Sequence, residues 1–314
     1  MIALICKKII LIKSLMKSLS VIILTYNSEK DIYDCLKSIY QFNDIGDALE
    51  IIVVDNHSTH FATMQNSISN TYPNVIITQN TQNGGYGQGN NVGIRMASAP
   101  FIAIMNPDIR LNKPIFASML ECLKQKDVAM CAGKQYGGNG VPFASFMSIF
   151  TVPWWIGRPL EFICRRILDI YIYKMQFLSG AFFAIKKDIM HNIGLFDEKI
   201  FMYAEENDIH YRIRKQYPNM KMIYKKELSY IHLAENRSFS KEQAKRVYES
   251  IGYFFKKNKF SPVKYWKGQI RLNKLLELVY SALNFLHIGN PTRRINMNLK
   301  ERNQILKELI LREE

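Results

Sequence analysis

Phe101-Ile-Ala-Ile-Met-Asn-Pro-Asp108 constrains the fold more than any other stretch of the chain. Five apolar residues without a polar break read as a buried central strand. Pro107 has no N–H to give to a sheet and biases Asn106 away from helix, so the strand ends there. Asp108 is left at the carboxyl end of a core strand, the edge at which open α/β sheets bind their ligands. A carboxylate held there suits a hard cation carrying a phosphate. It equally suits an ordinary turn, and the rest of the chain has to decide between the two.

Upstream, Val21–Leu24 reads as a first buried strand closed by Thr25-Tyr26-Asn27. A helix follows from about Glu29, with Ile32, Leu36, Ile39 and Tyr40 at helical spacing. Glu50–Val54 is a second strand ending in Asp55-Asn56-His57-Ser58, and Val75–Ile77 a third. Asn83-Gly-Gly-Tyr-Gly-Gln-Gly-Asn-Asn-Val-Gly93 then runs into a helix, before Phe101–Met105 as the fourth strand. Strands alternating with helices predict a mainly parallel sheet with right-handed crossovers. Asp55 can accept the N3–H of a uracil or thymine ring, or it can cap the following segment. The glycine-rich stretch is not a dinucleotide motif, because Asn90 stands where the third glycine is required. Its glycines offer close backbone approach and N–H groups at a helix start, or simply a tight turn with packing glycines.

Downstream, Phe143 to Tyr173 is rich in aromatics, with Trp154-Trp155 and the basic pair Arg165-Arg166; it reads as a lid on the core or as a membrane-touching loop. Gln176–Ile185 returns as a strand with a glycine kink at Gly180, suited to the wall of a site. Glu205 starts a helix with acids in its first turn. Glu205 and Asp208 share a face with Arg212, which leaves Glu206 the freest to meet a substrate. The plainer reading is a solvated acidic helix start with an Asp208–Arg212 pair. Met220–Tyr224 and Leu228–His232 are short late strands. From Leu272 to Leu286 one apolar helical stripe, flanked by Tyr265, Trp266 and lysines, either packs on the preceding domain or meets a membrane. Arg293 to Arg312 is a last, highly charged helix.

The formal charge of +15 over 314 residues favours an anionic partner. Nucleic acid is not that partner: zinc-finger spacing, an aromatic RNP pattern and basic-zipper heptads are all missing. Five scattered cysteines without a C-x-x-C pattern fit reduced thiols in a cytoplasm. No uninterrupted apolar run reaches transmembrane length. The expected organisation is an N-terminal extension over 1–19, a catalytic domain over 20–239 and a helical extension over 240–314. The first of these is apolar but broken by lysines. It suits a short interfacial helix, or residues upstream of a true start at Met16.

Taken in order, Thr25-Tyr26-Asn27, Val54-Asp55-Asn56, the Asn83–Gly93 stretch, Asn106-Pro107-Asp108, Ser179-Gly180-Ala181 and Tyr203-x-Glu205-Glu206-x-Asp208-Ile209-x-x-Arg212 resemble the family 2 glycosyltransferases of GT-A fold, in particular their rhamnosyltransferase-like branch. The resemblance runs from about Ser20 to Ser238. It implies an α/β fold with a mainly parallel Rossmann-like sheet flanked by helices. By the same likeness Asp55 holds the donor's base, and Thr25, Tyr26, Asn27, Asn83, Gly84, Asn90, Asn106 and Gly180 line the donor. Asp108 stands for the last acid of the family's D-x-D metal motif, with Asn106 in place of the first, and His232 for a late histidine near the diphosphate. The implied cofactor is Mg²⁺ or Mn²⁺. Glu206 falls at the catalytic base, with Glu205 and Asp208 as the other candidates. The implied activity is inverting transfer of a sugar, rhamnose first, from a UDP- or dTDP-sugar to a lipid-linked saccharide for a surface polysaccharide. The enzyme would sit peripherally on the inner, anionic face of the cytoplasmic membrane. The rival readings are a sugar-1-phosphate nucleotidyltransferase of related fold and a non-catalytic nucleotide-sugar-binding scaffold.

Overall fold

The computed structural model describes residues 16–233, 240–285 and 293–314. The chain divides into two compact units. The first comprises Met1–Met147, Phe177–Phe201 and Asp208–Glu235, and the second Ser148–Gln176, Met202–Asn207 and Asn236–Glu314. Most of the expected N-terminal extension lies outside the described residues.

The first unit is built on an eight-stranded sheet. In chain order its strands are β1 (Leu19–Thr25), β2 (Leu49–Asp55), β3 (Ile76–Gln79), β4 (Phe101–Met105), β5 (Ile109–Arg110), β6 (Val128–Tyr136), then, after the short pair β7 (Phe146–Ser148) and β8 (Gln176–Leu178), β9 (Phe182–Lys186) and β10 (Lys221–His232). Their spatial order is β3-β2-β1-β4-β9-β6-β10-β5, while β7 and β8 form a separate ribbon. β1 is parallel to β2 and to β4, and β2 to β3; β9 runs antiparallel to both β4 and β6, and β5 antiparallel to β10. The sheet is therefore mainly parallel with two reversed strands.

The central strands are apolar on both faces because both faces are covered. Val21, Ile23, Val53 and Met105 pack with Ile32, Cys35, Leu36 and Ile39 of helix α1 (Glu29–Gln41) on one side. Each fully buried aliphatic side chain of this kind contributes about 1.5–3 kcal/mol over leaving it exposed. After helix α2 (Phe61–Thr71), helix α3 (Gly85–Met96) covers the alternate side chains of β1 and β2. A Cβ at Gly89 would lie 2.3 Å from Leu24 and one at Gly93 2.4 Å from Ile22, so at these two positions glycine sets how closely helix and sheet approach. That part of the glycine-rich stretch is packing.

Three expected elements differ. β3 runs from Ile76 to Gln79 rather than from Val75 to Ile77, because its register is set by pairing with Ile52–Asp55. The expected kinked strand Gln176–Ile185 is two strands, β8 and β9, broken at Ser179–Ala181. The two late strands are one, β10, with a register shift between Lys225 and Tyr230. The shift brings the Leu228 carbonyl over Gly133, where a Cβ would lie 1.4 Å away. Only glycine leaves room for that irregularity.

Helix α4 (Phe116–Lys124) and the short α6 (Lys187–Asn192) belong to the first unit, and helix α7 (Glu205–Gln216) starts in the second and continues in the first. The second unit also holds α5 (Trp154–Phe162) with its π-helical continuation Ile163–Leu168, and α8 (Lys241–Lys257), α9 (Pro262–Phe285) and α10 (Arg293–Leu311). Ala244, Tyr248, Trp266, Ile305, Leu306, Leu309 and Ile310 give this unit a core of its own. Trp266 is buried there against Gly252, in the core of its own unit. The apolar stripe of α9 splits: Leu272 is buried, while Leu275, Leu278 and Val279 are exposed. Among the described residues no helix is long and apolar enough to cross a membrane.

Candidate active site

The turn after β4 is held from several sides. Ile109 N donates to Asn106 O at 3.2 Å, closing a four-residue turn with Pro107 and Asp108 at its centre. Asn106 N donates to Ala181 O at 2.8 Å, and the Arg110 guanidinium donates to the carbonyls of Pro107 and Ile109, both at 3.0 Å. The short antiparallel pair β5–β10 then sets His232 opposite Ile109, and Leu233 N donates to Asp108 O at 2.9 Å. As a result His232 Nε2 lies 3.3 Å from Asp108 Oδ1, although 124 residues separate them in sequence.

Gln135 on β6 decides what that imidazole offers. Its Nε2 donates to Ala144 O at 2.7 Å, which orients the amide. Its Oε1 then faces His232 Nδ1 at 2.8 Å. A carbonyl oxygen can only accept, so Nδ1 carries the proton. In the neutral ring the Nε2 lone pair is thereby turned toward the Asp108 carboxylate. Two electron-rich groups held face to face suit a cation between them, and a ligating histidine ordinarily donates its other N–H to such an acceptor. Gln135 is fully buried within an apolar strand, and nothing in its local sequence signals this role.

At the other end of the same sheet edge, Thr25, Asp55 and Ser58 form a compact polar knot. Asp55 is fully buried. Its Oδ1 accepts from Thr25 Oγ1 at 3.1 Å and from Ser58 Oγ at 2.5 Å, and its Oδ2 from Ser58 N at 2.7 Å and Gln79 Nε2 at 3.1 Å. All four lone-pair positions of the carboxylate are thus used internally. A nucleobase N3–H can reach Asp55 only by displacing one of these donors. The Asp55-x-x-Ser58 spacing of a capped segment was the legible sign of this arrangement.

Asn27 takes a left-handed conformation, φ 49°, and donates its N–H to Ser58 Oγ at 2.8 Å. Tyr26 beside it is exposed. Asn83 accepts from Asn56 Nδ2 at 2.8 Å and from Gly85 N at 3.1 Å, and Gly84 is the cap of α3. Asn80 ties Asn56 to Gln88 through its own amide, at 2.8 and 2.9 Å. Sequence reading missed Asn80, Gln79 and Gln88 in this neutral amide network. Asn90 is buried; its Nδ2 donates to Tyr86 O one turn back in its own helix at 2.9 Å, and its buried Oδ1 has no hydrogen-bond partner among the described residues. Gly180 is buried and accepts at its carbonyl from Tyr86 Oη at 2.8 Å.

The acids of α7 separate by environment. Asp208 is fully buried and paired with Arg212, whose Nε lies 2.8 Å and Nη2 2.7 Å from Asp208 Oδ2; Arg212 also donates to Ile193 O. That is an anchoring ion pair, and Asp208 leaves the list of candidate bases. In the second unit, Glu205 is buried and accepts from Ala204 N at 2.8 Å. Burial, and then the neighbouring Glu206, push its carboxyl up to about 8, against the backbone N–H donors of Ala204, Glu205 and Tyr203. Asn207 accepts from Phe150 N at 3.1 Å and fixes the start of the helix. Glu206 is the partly exposed acid of the three.

Among the described residues no group of three or more His, Cys, Asp or Glu is arranged to hold a metal. Asp108 and His232 supply two protein donors. Magnesium-type sites commonly use one or two protein ligands and take the remainder from substrate phosphates and water, so the pair fits such an ion.

Residues 20–194 match the family model for glycosyl transferase family 2. The hexosyltransferase Agl10 of low-salt glycan biosynthesis in Haloferax volcanii is 24% identical over 220 residues, 66% of this chain and 65% of that protein. The poly(ribitol-phosphate) β-N-acetylglucosaminyltransferase TarS of Staphylococcus aureus is 32% identical over 137 residues, 42% of this chain and only 23% of TarS. The chain thus spans just under two thirds of the first relative and under a quarter of the second. Among solved structures, the mannosyltransferase PcManGT from Pyrobaculum calidifontis, in complex with GDP-Man and Mn²⁺, superposes with a TM-score of 0.65 at 14% identity over 95% of this chain and 88% of that one. TarS 1-349 in complex with UDP-GlcNAc gives 0.54 at 20% identity over 93% and 82%. These likenesses establish a GT-A-like fold, and with the family model covering more than half of its length, the chain belongs to glycosyl transferase family 2.

Proposed function

We propose that this glycosyltransferase moves a hexose, rhamnose as first candidate, from a UDP- or dTDP-sugar to a lipid-linked saccharide, with inversion and with Mg²⁺ or Mn²⁺ bound by the donor diphosphate. The observation that carries this reading is the Asp108–His232–Gln135 arrangement, in which the imidazole Nε2 stands 3.3 Å from the Asp108 carboxylate while Gln135 Oε1 engages Nδ1 at 2.8 Å. When bound there, the ion neutralises charge on the leaving diphosphate.

Each residue then has a distinct task. Asp108 and His232 would hold such an ion, which would supply positive charge at the phosphate end of the donor. From Ser38 to Ile94 the chain carries no Lys or Arg, so the amide network of Asn56, Asn80 and Asn83 offers neutral hydrogen bonds suited to base and ribose. Glu206, partly exposed at the start of α7, takes the proton from the attacking acceptor hydroxyl. The new C1–O bond forms as the bond to the diphosphate breaks, from the opposite face, which gives inversion. Glu205, held largely neutral by burial, accepts the Ala204 N–H and supports the start of the helix. Relatives named for glycan and poly(ribitol-phosphate) glycosyltransfer support a glycan or polymeric acceptor. The chain's +15 charge supports work at an anionic membrane surface.

The test is nucleoside diphosphate release from a panel of UDP-, dTDP- and GDP-sugars with Mn²⁺, Mg²⁺ or a chelator. Release from a uridine or thymidine donor that the chelator abolishes is the expected result. Release unaffected by chelation overturns the metal assignment, and no release from any donor in the presence of an acceptor extract favours the scaffold reading.

A further inference from the structure

The helix α5 and its π-helical continuation are mounted inside out. Trp155, Phe162, Ile163 and Ile167 recur at positions i, i+7, i+8 and i+12, one face of a helix, and that face is solvent-exposed. Trp155 is 62%, Phe162 60% and Ile167 64% exposed, whereas Glu161 on the opposite face is 8% exposed. Leu168, the last residue of the continuation, and Ile170 just beyond it extend the exposed apolar stretch.

This orientation is held in place. Glu161 pairs with Arg165 at 3.2 Å and with Arg158 at 3.8 Å, and accepts from Ser148 N at 3.4 Å. Ser148 Oγ in turn donates to Gly157 O at 2.8 Å. Trp154 turns inward over Gly268 of α9, where a Cβ would lie 2.6 Å from its ring. Rolling the helix to bury its apolar face would strand a carboxylate and expose Trp154, so the arrangement is anchored rather than adjustable. A soluble surface rarely keeps six large apolar side chains together within sixteen residues unless something covers them.

We propose that this face, Trp155, Phe162, Ile163, Ile167, Leu168 and Ile170, is where the protein seats itself on an anionic lipid bilayer. Charge complementarity selects that occupant. The exposed apolar residues are accompanied by the exposed Arg158 and Lys174, while the two acids of the stretch are the buried Glu161 and the partly exposed Asp169. From Asn236 to Glu314, in the same unit, 17 Lys and Arg stand against seven Asp and Glu. Anionic headgroups attract such a unit, and an amphipathic Trp at the rim suits the headgroup boundary. A second copy would bring two strongly basic units together, which disfavours self-association. The purpose of the contact rests on the lipid-linked acceptor proposed above, but its existence does not.

The test is flotation of the full chain, without donor, on phosphatidylcholine vesicles with and without phosphatidylglycerol. Wild type is expected to bind the anionic vesicles, with a blue shift of tryptophan emission, and to be released by salt. The double variant Phe162→Ser, Ile167→Ser should lose about tenfold or more in partitioning. Because both side chains are exposed, its thermal melt should match wild type. Leu275→Ser with Leu278→Ser, on the exposed stripe of α9, should bind like wild type. Trp155→Phe should bind but lose the blue shift. No binding by wild type, equal binding to neutral vesicles, or loss only in the α9 variant overturns the proposal. So does a concentration-dependent dimer abolished by the α5 variant. Nucleoside diphosphate release without vesicles, measured in parallel, tests the glycosyltransferase reading separately: turnover retained with vesicle binding absent refutes the docking face alone.

Discussion

Replacing Glu205 by Gln removes a titrating group from a buried site while keeping its shape and an oxygen to accept the Ala204 N–H. In the folded chain burial, then Glu206, raise the Glu205 carboxyl from 4.5 to about 8. Between those values the folded state retains a proton that the unfolded chain has released, so stability falls as pH rises through that window. The rise from 4.5 to about 8, at about 1.4 kcal/mol for each pH unit, sets a ceiling of about 5 kcal/mol. Gln cannot lose a proton, so it escapes this loss. Urea unfolding of both proteins from about pH 5 to about pH 9 measures the effect, and the difference between them cancels the titrating groups that do not interact with Glu205, leaving Glu205 and its neighbour Glu206. The variant is expected to gain several kcal/mol on wild type as pH rises, levelling above about 8. A difference that stays flat across the range would mean that Glu205 is already ionised in the folded state, and the burial argument would fail.

Other expectations follow from the same geometry. Glu206→Gln should lower kcat by about 10²-fold or more with donor affinity little changed, as loss of a general base does, while Glu205→Gln keeps most of its turnover near neutral pH; the reverse outcome swaps the two roles. Asp108→Ala should abolish divalent-dependent turnover, and a wild-type metal response in that variant refutes the site. Gln135→Leu frees the His232 tautomer and should weaken Mn²⁺ affinity in the presence of nucleoside diphosphate by about 10–100-fold, read by titration calorimetry, with the melt shifted far less than the affinity. Gly93→Ala places a Cβ 2.4 Å from Ile22, and should cost about 1–3 kcal/mol of stability in thermal melts without altering metal dependence.

The strands β1, β2 and β4 and the turn at Asp108 were legible in the sequence because local chemistry dictates them. Continuous apolar runs have nowhere to go but a covered sheet, and Pro107 ends one of them. The motif order then carried the family. The parallel order of the first four strands also followed from their alternation with helices. Much of the candidate site was not legible, because it is made by pairings between distant segments. His232 reaches Asp108 only through the β5–β10 pair, and Gln135, which fixes the tautomer, sits in an apolar strand that gives no local sign of it.

The sequence by itself marked the candidates for chemistry, since residue type and position at a strand end or helix start are local properties: Asp55 and Asp108 at strand ends, and Glu205, Glu206 and Asp208 at a helix start, while His232 entered through the family resemblance. The tertiary structure decided which of them are committed elsewhere. Asp208 is neutralised by Arg212, and Asp55 has its four acceptor positions filled. It also decided which apolar side chains face water. Periodicity marks a stripe but carries no information on what lies opposite it: Trp154 and Trp266 turn inward while Trp155 turns out. Burial is a property of the neighbours a side chain meets, and those neighbours are chosen by the fold as a whole.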